Sequence, residues 1–132
     1  MPVLNANLKA TTLAAHHHLS FEQQVCAWLS SAGWEVLVPL VDHGRKTDLV
    51  IADDEDYYRI QVKSVHTRDS HVRVENKWQS ARLDYVIYFS TLAEWGFIAP
   101  AFPETSRPLD APGHVRFHAQ RTNFLRAFHR VS

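Results

Sequence analysis

An aspartate and a short Gln-X-Lys segment carry the chemistry that this sequence could perform. Asp48 lies in the segment TDLVIA, and Gln61, Val62 and Lys63 lie in the segment YYRIQVKSV. Mg²⁺ prefers oxygen ligands, which the carboxylate, the amide and the backbone carbonyl of Val62 could supply. A neighbouring amine could orient or deprotonate water, or stabilise developing negative charge. The set suits hydrolysis of a phosphodiester bond.

The spacing of these residues predicts that they meet on one face of a β-hairpin. If Ala52 faces Tyr57 across an acidic turn, Asp48 lies directly opposite Gln61. Opposed side chains have Cβ atoms about 4.5–5.5 Å apart. Lys63 shares the face of Gln61, because strand side chains alternate. The remaining side chains predict an opposite, aliphatic face towards a core: Leu49, Ile51, Ile60 and Val62.

The residues alone leave two interpretations of the polar face open. It is either a reaction site or a surface on which Asp48 and Lys63 form a diagonal ion pair beside a solvated Gln61. Such a surface pair contributes only ~0–1 kcal/mol. The two interpretations differ in whether Gln61 meets solvent.

A helix is predicted before the strand at 34–40. Ser20 is suited to cap it, Gln23 completes a capping box and Gly33 ends it. Residues 1–17, which include the first two of three consecutive histidines, are expected to be loosely structured. Glu22 would then lie in the first turn, where a carboxylate suits the helix dipole. That is the alternative to a catalytic role for Glu22.

The remaining elements complete one α/β (α+β) domain over residues 1–132. Further strands are predicted at 34–40, 71–75, 85–90 and 96–99, a surface loop at 100–113 and an amphipathic helix at 122–130. A sheet with helices packed on it follows from this order. Cys26 is the one cysteine, so no intrachain disulfide is possible, and it falls on the apolar side of the first helix.

Charge and hydropathy restrict the partners. Fourteen basic and fourteen acidic residues leave a formal net charge of zero, so binding to nucleic acid would require a local basic patch. No apolar run approaches the ~20 residues that span a bilayer, and no secretion signal is evident. We therefore expect a cytoplasmic protein without a membrane partner.

The hairpin resembles the motif of the PD-(D/E)XK nuclease superfamily. That motif has an acid on one strand, an acid-X-Lys on the next and usually an acid in the preceding helix. Asp48, Gln61-Val62-Lys63 and Glu22 occupy these places. The sequence is most similar to the small bacterial branch that carries Gln-X-Lys and includes a group I intron homing endonuclease. Archaeal Holliday junction resolvases are more distantly similar.

The resemblance covers about residues 20–100 and implies a restriction-endonuclease-like fold, with a central mixed sheet flanked by helices. It implies a Mg²⁺-dependent DNA endonuclease, with Mn²⁺ as a substitute, that leaves 5′-phosphate and 3′-hydroxyl ends. Asp48, Gln61 and Glu22 would bind the metal. Lys63 would be the catalytic lysine. The protein would be encoded by a bacterium, an archaeon or a phage.

Two departures from the family pattern leave alternatives open. Gln61 is neutral where an acid is expected, which favours weaker metal binding or one ion rather than two. Thr47 stands where a proline is usual. The alternatives are a structure-selective Holliday junction resolvase and a nuclease fold that binds DNA or a protein partner without effective cutting.

Cationic residues around the hairpin are expected to contact DNA phosphates, which supply affinity rather than sequence readout. The predicted DNA-binding residues are Arg45, Lys46, Arg59, Arg68, Arg73 and Lys77. A solvated edge is the alternative for this group. A single small site cuts one strand, so we expect a homodimer or higher homo-oligomer. Trp95 or Phe97 would lie either in that contact or in the core.

Overall fold

A six-stranded mixed sheet forms the body of the protein. The structure is a computed structural model and describes residues 1–4, 7–42 and 44–131. In chain order the elements are α1 (Ala10–Ser31), β1 (Glu35–Leu37), β2 (Leu49–Ala52), β3 (Tyr57–Val65), β4 (Arg73–Glu75), β5 (Tyr85–Ser90), β6 (Trp95–Pro100), β7 (Ser106–Pro108), β8 (Val115–His118) and α2 (Arg121–Arg130). The sheet order is β1-β2-β3-β5-β6-β8, and β4 pairs with β7 in a separate ribbon.

Only one neighbouring pair in the large sheet is parallel. β3 runs parallel to β5, and the other neighbours are antiparallel. The connection between β3 and β5 contains β4 and a loop rather than a helix. The predicted central mixed sheet with helices packed on it is confirmed.

Helix α1 begins ten residues earlier than the sequence predicts, at Ala10 instead of Ser20. The expected loose structure of residues 10–17 and the capping box at Ser20 are therefore wrong. Residues 10–19 are rich in alanine and leucine and contain no proline or glycine, so nothing in them interrupts a helix. The Ser20 hydroxyl donates to the His17 carbonyl at 2.6 Å, an in-helix bond that serine uses away from caps.

The C-terminal end of α1 is the predicted one. The helix ends at Ser31, and Gly33 follows with φ +99°. The Gly33 N–H donates to Ser30 O at 3.0 Å and the Trp34 N–H to Leu29 O at 3.2 Å. This pair of bonds is the Schellman arrangement, which glycine favours because it tolerates a positive φ. It turns the chain from α1 into β1.

The helices cover one face of the sheet. Phe21, Val25 and Leu29 of α1 and Phe124 of α2 are buried against the hairpin's aliphatic side chains. Those side chains are Leu49, Ile51, Ile60 and Val62, as predicted. Cys26 is partly buried against the same core, which confirms its packing role. Among the described residues, no helix is long and apolar enough to cross a membrane.

The other face of β5 and β6 is covered by the β4–β7 ribbon and its loops, which form a second core. Trp95 and Phe97 belong to that core and are 8% and 4% exposed, so they are not surface contacts. The sequence predicts neither β7 nor β8. β7 lies in a proline-rich segment, and Pro108 is tolerated there because the ribbon is only two strands wide.

Candidate active site

The hairpin register places Asp48 at the end of the β2–β3 ladder. Ala52 pairs with Tyr57, as predicted, and the ladder continues to Leu49 and Ile60. The Asp48 N–H then donates to Ile60 O at 2.9 Å. Its carboxylate accepts the Val62 N–H at 2.7 Å. Because a strand N–H holds the carboxylate, the side chain is oriented by the sheet itself.

Gln61 is buried rather than solvated. Its side chain lies on the face of β3 opposite Ile60, and the residue is only 6% exposed. The amide oxygen Oε1 is buried and has no hydrogen-bond partner among the described residues. No Asp48–Lys63 ion pair within 4.0 Å is found in the described part of the chain. The surface ion-pair interpretation is therefore wrong.

Glu22 lies in the middle of α1, not in its first turn, so the helix-dipole interpretation is also wrong. Burial raises the pKa of Glu22 to about 7, with further contributions from the negative charge of Asp48 and a hydrogen bond to it. Burial also raises the pKa of Asp48, against the lowering effects of the Val62 N–H and of its charged neighbours. Negative charge on Glu22 is therefore disfavoured beside an ionised Asp48.

Lys63 is half-buried beside this pair. Burial is the main reason that the pKa of Lys63 is lowered from its ordinary value, and the nearby cations of Lys77 and Lys46 lower it further. The carboxylate of Asp48 acts in the opposite direction. An amine with a lowered pKa releases a proton more readily, which is the condition for a role as base.

His18 is a member of this site that the sequence interpretation missed. Its Nε2 lies 3.8 Å from Glu22 Oε2, and its Nδ1 lies 3.1 Å from Ser64 Oγ. His18 and Glu22 are four residues apart and share a helix face. The spacing of four residues is visible in the sequence. It predicts a shared helix face only if the helix includes residue 18, and the predicted helix began after it.

The site contains oxygen atoms that suit a hard divalent cation. Glu22 and Asp48 lie close enough for each carboxyl group to affect the pKa of the other. Gln61 Oε1 has no hydrogen-bond donor among the described residues. Oxygen ligands of this kind are the ones that Mg²⁺ selects. In the described part of the chain, no three His, Cys, Asp or Glu side chains are grouped to hold a metal, so the amide must complete any ligand set. The residues present therefore fit a cation held by two acids and one amide.

The predicted cationic residues divide among several places. Lys46 and Lys77 are close enough to Lys63 to affect its pKa. Arg73 and Lys77 line a groove of about 350 Å³ together with Lys63 and Tyr88. The Tyr88 hydroxyl, buried and without a partner among the described residues, is a second feature that the sequence did not reveal. Lys63 is the residue that this groove shares with the surroundings of Asp48.

Three further cationic residues lie elsewhere. Arg45 and Arg59 line a concavity of their own. Arg68 lines another one, with His17 and Phe89, between α1 and the end of β5. The structure thus brings Lys46, Arg73 and Lys77 near Lys63 and places Arg45, Arg59 and Arg68 at other concavities.

The chain is similar to known proteins in sequence and in fold. A family model described as PD-(D/E)XK endonuclease matches residues 20–91, the segment that contains Glu22, Asp48 and Lys63. No curated protein matches the chain. The solved structure of a bacterial homing endonuclease, I-Ssp6803I, is similar in fold, with a TM-score of 0.53 and 23% identity over 71% of this chain and 67% of that one. Because the family model covers more than half of its length, the chain belongs to the PD-(D/E)XK endonuclease family.

Proposed function

We propose that this protein is a metal-dependent DNA endonuclease whose reaction centre comprises Glu22, Asp48, Gln61 and Lys63. The observation that carries the proposal is the carboxyl pair of Glu22 and Asp48 beside a desolvated lysine. Burying two acids together is costly unless a cation or a reaction uses them. Membership in a nuclease family supports DNA as the substrate.

Glu22, Asp48 and Gln61 would hold Mg²⁺, or Mn²⁺ in its place. The bound ion would polarise a phosphate oxygen and lower the pKa of a water molecule. Glu22 must be ionised to act as a ligand. Its pKa of about 7 allows ionisation near neutral pH. Gln61 contributes an oxygen without charge, so the site is less anionic than one with three acids. The backbone carbonyl of Val62 remains a further proposed ligand.

Lys63 would act on the water or on the phosphate. Its lowered pKa suits it to accept a proton from the attacking water, and in its charged form it stabilises negative charge on the phosphate. Asp48 keeps its orientation through the Val62 N–H. Lys46, Arg73 and Lys77 would contact phosphates on either side of the cleaved bond.

Cutting both strands of a duplex requires two such sites, so we also propose a homodimer or higher homo-oligomer. Large apolar side chains are exposed at the edge strand β1 and just after it, namely Leu37, Val38, Leu40 and Val41. Contiguous exposed apolar side chains are typical of protein contacts. The mass of the protein in solution, by light scattering, tests this proposal.

The test of the function is cleavage of plasmid DNA with Mg²⁺ or Mn²⁺. Asp48→Ala and Lys63→Ala should each lower the rate by at least about 100-fold, and chelation of the metal should abolish cutting. Asp54→Ala, in the exposed acidic turn, is the matched control and should cut normally. Cutting that survives both active-site substitutions would overturn the proposal.

The wild-type protein and the Asp48→Ala variant also distinguish two alternative functions from this proposal. Preference for a synthetic four-way junction over linear duplex of the same sequence would identify a structure-selective resolvase. Tight DNA binding without cleavage, indifferent to metal and to Asp48→Ala, would identify a non-catalytic binding module.

A further inference from the structure

Three arginines converge on one concavity outside the reaction centre. Arg45, Arg59 and Arg82 line a cavity of about 400 Å³ together with Gly44 and Ala81. Arg45 comes from the loop before β2, Arg59 from β3 and Arg82 from the loop before β5. The fold thus brings three like charges together from distant parts of the chain.

Among the described residues, none of these arginines forms an ion pair within 4.0 Å. Asp84, two residues after Arg82, accepts the backbone N–H of Arg59 through its Oδ2 at 2.7 Å. Glu55 and Asp56 border a neighbouring concavity that Arg59 and Arg82 also line, yet no ion pair forms there. Three unpaired guanidinium groups repel one another, so the cluster is suited to an anion.

Each of the loops that carry two of these arginines contains a side-chain-to-backbone hydrogen bond among its described residues. In the first loop, the Thr47 N–H donates to Asp42 Oδ2 at 2.8 Å. In the second, the Gln79 N–H donates to Asn76 Oδ1 at 2.7 Å. A binding site whose backbone is already ordered loses less entropy when a ligand binds.

The concavity has a defined position relative to the reaction centre. Arg59 and Lys63 lie on the same face of β3, four residues apart, which is about 13 Å at ~3.3 Å per residue. A phosphate in the concavity would therefore not be the phosphate of the cleaved bond but another one along the DNA backbone.

We propose that Arg45, Arg59 and Arg82 form a phosphate-binding site that holds the DNA backbone outside the reaction centre. Guanidinium groups bind phosphate oxygens through paired N–H donors. The assignment of the anion as DNA rests on the proposed function. A free phosphate ion would offer the same oxygens, so the test includes it.

The test compares two double variants in DNA binding without metal, where no cleavage occurs. Arg45→Gln with Arg82→Gln removes two exposed members of the site. Arg126→Gln with Arg130→Gln removes the same charge from α2, on the opposite face of the sheet. We expect the site variant to bind duplex at least 10-fold more weakly and to lower the salt slope by about 1–2, since each phosphate contact contributes ~0.9. The control should change both much less.

A second arm shortens the duplex stepwise from one end, then repeats this from the other end. One of the two truncations should weaken binding of the wild-type protein but not of the site variant, because the contact is already lost. Equal behaviour of the two double variants, with matching melting temperatures, would overturn the proposal. So would binding of inorganic phosphate that depends on these arginines while DNA binding does not. Because metal is absent, a protein that fails to cut DNA can still pass this test.

Discussion

The two faces of β3 differ completely in what they contact, although they alternate along a single strand. Ile60 and Val62 are at most 1% exposed and pack into the core under α1 and α2. Arg59, Gln61 and Lys63 occupy the other face. Among the described residues, the Arg59 guanidinium has no ion-pair partner within 4.0 Å and Gln61 Oε1 has no donor. The pKa of Lys63 is lowered. One face therefore contributes stability, whereas the other accumulates polar groups that the fold alone leaves unsatisfied.

This difference is what a reaction site at a strand surface requires. A buried polar group without a partner costs about 1–3 kcal/mol, and natural folds accept such costs mainly where function needs the group. The rigid aliphatic face fixes the backbone, so the polar face can retain its unfavourable arrangement. The predictions below test whether the two faces separate in this way.

Ile60→Ala should produce the largest change in stability. Truncation of a fully buried aliphatic side chain costs about 2–5 kcal/mol of unfolding free energy, measured by urea denaturation. Val50→Ala, on the polar side of the neighbouring strand and only partly buried, should cost less. If both variants lose equal stability, the faces do not differ as described.

Gln61→Leu should stabilise the metal-free protein while removing its function. Leucine replaces an amide whose buried Oε1 has no partner among the described residues, so the unfolding free energy should rise by about 1–3 kcal/mol. Stabilisation by added Mn²⁺ should disappear, because an oxygen ligand is lost. As a control, Gln23→Leu on the exposed surface of α1 should change neither quantity. A destabilised Gln61→Leu variant would show that the amide has a structural partner.

Glu22→Gln should raise the melting temperature only at higher pH. The pKa of Glu22 is raised from 4.5 to about 7 by burial and by Asp48, so the folded state binds a proton that the unfolded state has lost between these values. Stability therefore falls as the pH rises from 4.5 to 7, and the penalty is complete above 7. Glutamine carries no such penalty, so we expect a gain of a few degrees at pH 8 and none at pH 4.5.

The matched control for that experiment is Glu94→Gln, at an exposed position in the turn before β6. It should give no pH-dependent difference from the wild-type protein. If Glu22→Gln raises the melting temperature by the same amount at pH 4.5 and pH 8, the raised pKa of Glu22 is contradicted.

The hairpin and its polar set were predictable because their determinants are local. Strict alternation around an acidic turn specifies the register from Ala52–Tyr57 to Leu49–Ile60, and Asp48 lies one residue beyond it. Gly33 likewise ends α1 through bonds within one turn. Both features require only neighbouring residues.

Features that depend on distant residues were not predictable. The start of α1 was misplaced because Ser20 matches a capping signal, although it bonds within the helix. That error hid His18. β7 exists because β4 lies beside it. Neither the burial of Gln61 nor the second core follows from neighbouring residues along the chain. Arg82 joins Arg45 only through tertiary structure.

The most direct test of the central claim is an anomalous-difference map from a crystal soaked with Mn²⁺. The claim is that the polar face of the hairpin, with Glu22, forms a metal-binding reaction centre. We expect a peak in contact with the carboxylates of Glu22 and Asp48 and with Gln61 Oε1, absent from Asp48→Ala crystals. A peak that lies only on other side chains, or no peak beside Asp48 at saturating Mn²⁺, would contradict the account.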